Sequence, residues 1–105
     1  MKGVIVPLLQ PPPATPVVIA VTGELDIANA CFLEAALLGV EASGAEEVVL
    51  DMTGVRFMGS VGLQVILDAA ERARASGRRL TLRPSAAVRW MTDITGLTGS
   101  LSLAA

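Results

Sequence analysis

Residues 48–76 read VVLDMTGVRFMGSVGLQVILDAAERARAS, and a change of period inside this stretch decides the fold. Residues 48–51 are a short apolar run closed by Asp51, the pattern of a buried strand. Residues 52–59, with glycines at 54 and 59 and no regular period, read as a loop. Over residues 60–76 the period becomes helical: Leu63, Ile66, Leu67, Ala70 and Ala73 are spaced as one stripe for burial. Gln64, Asp68, Glu71, Arg72 and Ala75 fall on the other side, where Asp68 and Arg72 stand one turn apart and suited to pairing. Gly77 ends the helix. Strands alternating with such helices imply a mostly parallel sheet with helical crossovers.

The flanking sequence repeats this alternation. Upstream, residues 17–22 form an apolar, largely β-branched run that reads as a buried strand, ended by residues 23–26. Residues 10–16 carry four prolines and must be a turn or loop, and residues 4–9 suggest a first strand that Pro7 restricts to a sheet edge. A helix is expected over residues 27–42, with Cys31, Phe32, Ala35, Ala36 and Leu37 on or near one face and Val40 a turn later. Gly44 supplies its left-handed stop. Downstream, residues 79–83 read as a strand with Leu80 and Leu82 on one face. Ser85 is placed to cap a third helix that ends at Gly96, and residues 101–104 suggest a short last strand. The expected fold is α/β: a small mixed, mostly parallel sheet of four to five strands with about three packed helices, in one domain over residues 1–105.

Composition removes several classes of function. With ten acidic and eight basic residues the net charge is −2, which disfavours nucleic acid as a direct partner, because phosphate contacts need a surplus of Lys and Arg. The five arginines between residues 72 and 83 read as a solvated face. There is no histidine, so no histidine-based triad or metal site, and the single cysteine excludes a thiolate cluster and an internal disulfide. Cys31 has no base to activate it and reads as a small buried apolar residue. The three glycines between residues 54 and 62 lack the Lys-Ser or Lys-Thr pair of a phosphate-binding loop. Glu24 and Asp26 read as turn and cap residues. No enzymatic constellation, metal or cofactor is expected. No apolar run reaches the length of about 18 residues that spans a membrane, and the apolar start lacks a signal-peptide pattern, so a cytoplasmic protein is expected.

One position stands out. Ser60 opens the second helix, where its hydroxyl suits an N-cap. The same place suits a phosphoryl group: a helix start presents free N–H groups and the positive end of the dipole, so the fold tolerates the added −1.5 to −2 charge (roughly) of a phosphate. A partner surface of negative potential does not.

Val21-Thr22-Gly23-Glu24-Leu25-Asp26 resembles the motif that ends the second strand in STAS domains of the anti-sigma factor antagonist type. Val49-Leu50-Asp51, followed by Gly54-Val55-Arg56-Phe57-Met58-Gly59-Ser60-Val61-Gly62-Leu63, resembles that family's phosphorylation loop. Residues 85–97 resemble its third helix and the Ser/Thr-Gly-Leu that follows, so the resemblance covers about residues 17–101. It implies a chain that binds an anti-sigma factor of the serine-kinase type and thereby frees a sigma factor for transcription. That kinase would phosphorylate Ser60 and weaken the complex, and a metal-dependent serine phosphatase would restore it. The implied partner surface combines Glu24 and Asp26, the loop Met58, Gly59, Ser60, Val61 and Gly62, and Gln64 on the exposed helix face. The sequence departs from the family at Gly59, where Asp is usual: the change removes either a contact that the kinase or phosphatase reads or a charge that repels phosphate. A last helix after the final strand, present in many relatives, is not expected within residues 1–105. The alternative is a STAS-like binding or assembly module without a phosphorylation switch.

Overall fold

The computed structural model describes residue 3 and residues 5–8, 16–96 and 101–103. Its elements run β1 (Ile5–Leu8), β2 (Val17–Leu25), α1 (Ala30–Ala42), β3 (Glu47–Met58), α2 (Ser60–Ala75), β4 (Arg79–Pro84) and α3 (Ala86–Ile94). The sheet order is β1-β2-β3-β4, with β1 antiparallel to β2 and the other pairs parallel. β1, which carries Pro7, lies at an edge as its sequence requires. At the opposite edge Leu103 forms a single parallel bridge to Leu82 rather than the short strand expected over residues 101–104; residue 104 lies outside the described residues.

Both central strands are longer than expected. β2 continues through Gly23, Glu24 and Leu25, and the expected loop over residues 52–59 is mostly strand: β3 runs to Met58, paired with β2 to the end. The physical reason is bulging. From Ala20 to Leu25 β2 advances five residues while β3 advances seven, from Asp51 to Met58, so β3 accommodates two extra residues. Its buried side chains accordingly change from a spacing of two, Leu50 and Met52, to a spacing of three, Met52, Val55 and Met58, and the sequence loses its strand period while the ladder continues. Asp51, the last pair before the first slip, accepts from both the hydroxyl (2.7 Å) and the backbone N–H (3.0 Å) of Thr53. These bonds, the hydroxyl's first, hold the Asp51 carboxyl below its ordinary pKa. β2 is not buried on both faces: Val17, Ile19, Val21 and Leu25 are buried while Val18, Ala20 and Glu24 are half-buried.

The helices fill the space over this face. α1 begins at Ala30, because residues 27–29 form the turn that follows β2, and it buries Ala30, Leu33, Leu37 and Val40. Cys31, Phe32 and Ala35 are exposed and Ala36 half-buried, contrary to the expected face. α1 is apolar on nearly all sides, so composition does not mark the row that meets the sheet. α2 buries Gly62, Leu63, Val65, Ile66 and Ala69, while Leu67, Ala70 and Ala73 are half-buried at the margin. The stripe is turned from the expected one because α2 packs against α1 as well as the sheet. Arg72 pairs not with Asp68 but with Glu41 of α1, through Nε to Oε1 (2.8 Å) and Nη2 to Oε2 (2.9 Å). This pairing raises the Arg72 pKa further. Arg78 donates to the Glu41 carbonyl (2.8 Å), so two of the five arginines staple α1, α2 and the start of β4. Asp68 instead accepts from Gln64 (2.9 Å). α3 starts as expected, with the Ser85 hydroxyl accepting from the Val88 N–H (3.1 Å), and Gly96 follows its end at positive φ.

Candidate functional site

Because β2 and β3 are parallel and adjacent, the segments that leave them emerge at the same end of the sheet. β2 leaves at Leu25 into the 26–29 turn and β3 leaves at Met58 into Gly59 and α2. One backbone hydrogen bond ties them: the Gly59 N–H donates to the Leu25 carbonyl (2.9 Å). The sequence-predicted residues Glu24, Asp26, Met58, Gly59, Ser60, Val61 and Gly62 are therefore gathered on two joined segments, with Gln64 exposed one turn into α2.

Their roles differ. Ser60 is not the cap of α2. Gly59 occupies the N-cap position in extended backbone (φ −85°, ψ 175°), its carbonyl accepts from the Leu63 N–H (3.2 Å), and Ser60 is the first helical residue, exposed. Gly59 offers no side-chain acceptor and the first turn holds no acidic residue, so nothing from α2's own first turn balances the positive end of the helix. Val61 is exposed beside Ser60, whereas Met58 and Gly62 are buried and shape the site from beneath rather than presenting themselves to a partner. A Cβ on Gly62 would come within 2.7 Å of Leu25 Cδ2, so α2 sits directly on the end of β2.

Two features escape the sequence. The first is Asn29. Its Nδ2 donates to the Glu24 carbonyl (2.7 Å), its Oδ1 accepts from the Asp26 N–H (2.9 Å), and Asp26 Oδ1 accepts from the Ala28 N–H (3.0 Å). The only signal was an Asn three residues after an Asp before a helix, a pattern shared by many turns. The second is an apolar surround: Ile27 is 82% and Phe57 54% exposed, in addition to Phe32 and Val61. At the other end of the sheet lie the Arg72–Glu41 staple and an Arg79–Glu47 pair (3.0 Å). Among the described residues no group of three or more His, Cys, Asp or Glu is arranged to hold a metal, and no helix is long and apolar enough to cross a membrane.

This is an α/β domain of the SpoIIAA fold class: the unphosphorylated form of the Bacillus anti-sigma factor antagonist SpoIIAA superposes with a TM-score of 0.77 at 24% identity, covering 97% of this chain and 89% of that one. The chain belongs to the STAS domain family, whose "Mlab, STAS domain" model matches residues 12–103. An anti-sigma factor antagonist from Mycobacterium paratuberculosis is 30% identical with a TM-score of 0.78, over 95% of this chain and 85% of that one. The anti-sigma-F factor antagonist RsfB of Mycobacterium tuberculosis is 36% identical over 55 residues, 52% of this chain. The match spans only 45% of RsfB, about half the length of that relative.

Proposed function

We propose that this chain is an anti-sigma factor antagonist whose partner-binding end is the pair of joined segments after β2 and β3, and that phosphorylation of Ser60 releases the partner. The observation that carries this reading is the exposed Ser60 at the first position of α2, whose neighbour Gly59 is hydrogen-bonded to Leu25 at the end of β2. The names of the relatives supply the partner class, an anti-sigma factor. The kinase is that same anti-sigma factor, and a metal-dependent serine phosphatase reverses the step. The chain is thus the substrate of those enzymes and not an enzyme itself, and it works in the cytoplasm without cofactor.

The physics of the switch is local. Ser60 lies at the positive end of a 16-residue helix, so its phosphate is accommodated by the fold. The same charge, buried in an interface that does not pair it, costs several kcal/mol, and each 1.4 kcal/mol (about) is tenfold in affinity. Ser60→Asp should bind the cognate anti-sigma factor at least about tenfold more weakly than the parent, and phosphoserine more weakly still, because the mimic has one charge where phosphate has nearly two. Ser60→Ala should bind like the parent and resist the kinase. Undiminished binding by a folded Ser60→Asp, or unchanged phosphorylation of Ser60→Ala, defeats the reading. Gly59 favours a second one, a STAS binding module without the switch, since the N-cap side chain usual in the family is missing. Intact-mass measurement of protein from its native cells, free of phosphate under all conditions, would select it.

A further inference from the structure

We propose that Asn29 is the positioning residue for Ser60, acting through Leu25. The inference rests on the reading of the two joined segments as one functional end. The two atoms that Asn29 grips, the Glu24 carbonyl (2.7 Å) and the Asp26 N–H (2.9 Å), are those immediately before and after Leu25. A single amide side chain thereby fixes the peptide planes on both sides of that residue. Beside Met58, which also lies under Gly62, Leu25 in turn makes two contacts with the start of α2. Its carbonyl accepts the Gly59 N–H at 2.9 Å, and its fully buried side chain lies under Gly62, so close that a Cβ there would be 2.7 Å from Cδ2 and 2.8 Å from Cγ.

Ser60 stands between Gly59 and Gly62, with only Val61 intervening before the latter, so its position is set by how Leu25 is held. The turn that Asn29 closes also carries Ile27, the most exposed of the large apolar side chains among the described residues. Turn and serine then move as one body: a contact that shifts the turn shifts Ser60, and a charge on Ser60 is felt at the turn. Asn29 itself is a half-buried residue of the turn and need not touch a partner.

The test uses the purified chain alone, so it can fail without touching the partner assignment and succeed even if that assignment is wrong. Backbone amide exchange is followed by NMR in the parent, Asn29→Ala and Asn29→Asp. The alanine removes both grips, whereas the aspartate keeps the acceptor for Asp26 and turns a second acceptor toward the Glu24 carbonyl in place of the donor. In Asn29→Ala the Gly59 amide should exchange about tenfold faster or more, while the Leu50 amide at the centre of β3 changes less than about twofold. Asn29→Asp should likewise speed Gly59 exchange over the parent with Leu50 changed less than about twofold, and it carries the test if the alanine variant does not fold. Unchanged Gly59 exchange in a variant whose Asp26 amide has lost protection would overturn the proposal. So would acceleration of Gly59 and Leu50 by the same factor, which would make Asn29 a general stabiliser.

Discussion

Gly59 and Gly62 flank the same turn of helix and should respond oppositely to a side chain. Gly59 has ordinary extended backbone, and a Cβ there would rest 3.7 Å from the Phe57 ring and 3.9 Å from the Leu25 carbonyl, normal contacts. Gly59→Asp should therefore fit without strain, accept from an N–H of the first turn and place a negative charge at the end of α2 whose first turn holds no acidic residue. A gain of a few tenths to about 1 kcal/mol is expected, read as a higher urea midpoint with unchanged slope. Gly62→Ala gains about 0.8–1.0 kcal/mol of helix propensity but drives a methyl into the buried Leu25, and overpacking costs about 1–3 kcal/mol. It should lower stability by about 1 kcal/mol net. A stabilising Gly62→Ala would mean that Leu25 has room to yield, and the close seating of α2 on β2 would lose its meaning.

At the scale of elements the decisive contrast is between neighbours on α2. Ile66 is fully buried in the shared core, and Leu67 is half-buried at its margin. Ile66→Ala should cost about 2–5 kcal/mol, the range for a core cavity, and Leu67→Ala clearly less, on the order of 1 kcal/mol. Equal losses in denaturant unfolding would put the stripe back where the sequence placed it. That placement shows what was legible. The existence, order and type of the helices and of the parallel strands follow from apolar runs and glycine stops, and Gly44, Gly77 and Gly96 all have positive φ after helix ends. Ser85 was readable because a cap is a local property of one residue. The extension of β3 was hidden because two bulge residues break the alternation that announces a strand. Leu37 and Val40 of the buried row of α1 were legible, but Ala30 and Leu33 were hidden because their neighbours Cys31, Phe32 and Ala35 are comparably apolar, and packing against α2 and the sheet selects among them. The segments around Ser60 were legible as a motif, but the grip of Asn29 on Glu24 and Asp26 depends on a turn geometry that no spacing encodes.

At the scale of the molecule, one apolar cluster takes buried residues from β2, α1, β3, α2, β4 and α3. Among the described residues no helix or strand has a private core to unfold alone, so unfolding should be a single cooperative transition, with far-ultraviolet circular dichroism and slowly exchanging core amides reporting the same midpoint. Tryptophan fluorescence is the instructive exception. The chain has one tryptophan and no tyrosine, and Trp90 lies on α3 63% exposed, one turn from the exposed Ile94. An indole already in water has little to lose on unfolding, so the emission maximum should move only slightly between native and denatured protein, even while helical ellipticity collapses. A strongly blue native emission would show that the outer face of α3 is covered in solution. Sedimentation at two concentrations would then tell whether a second copy covers it: a dimer should restore the red emission on dilution, whereas a monomer with buried indole would mean that α3 sits differently on β3 and β4. A small shift at every concentration leaves α3 as a solvent-facing brace.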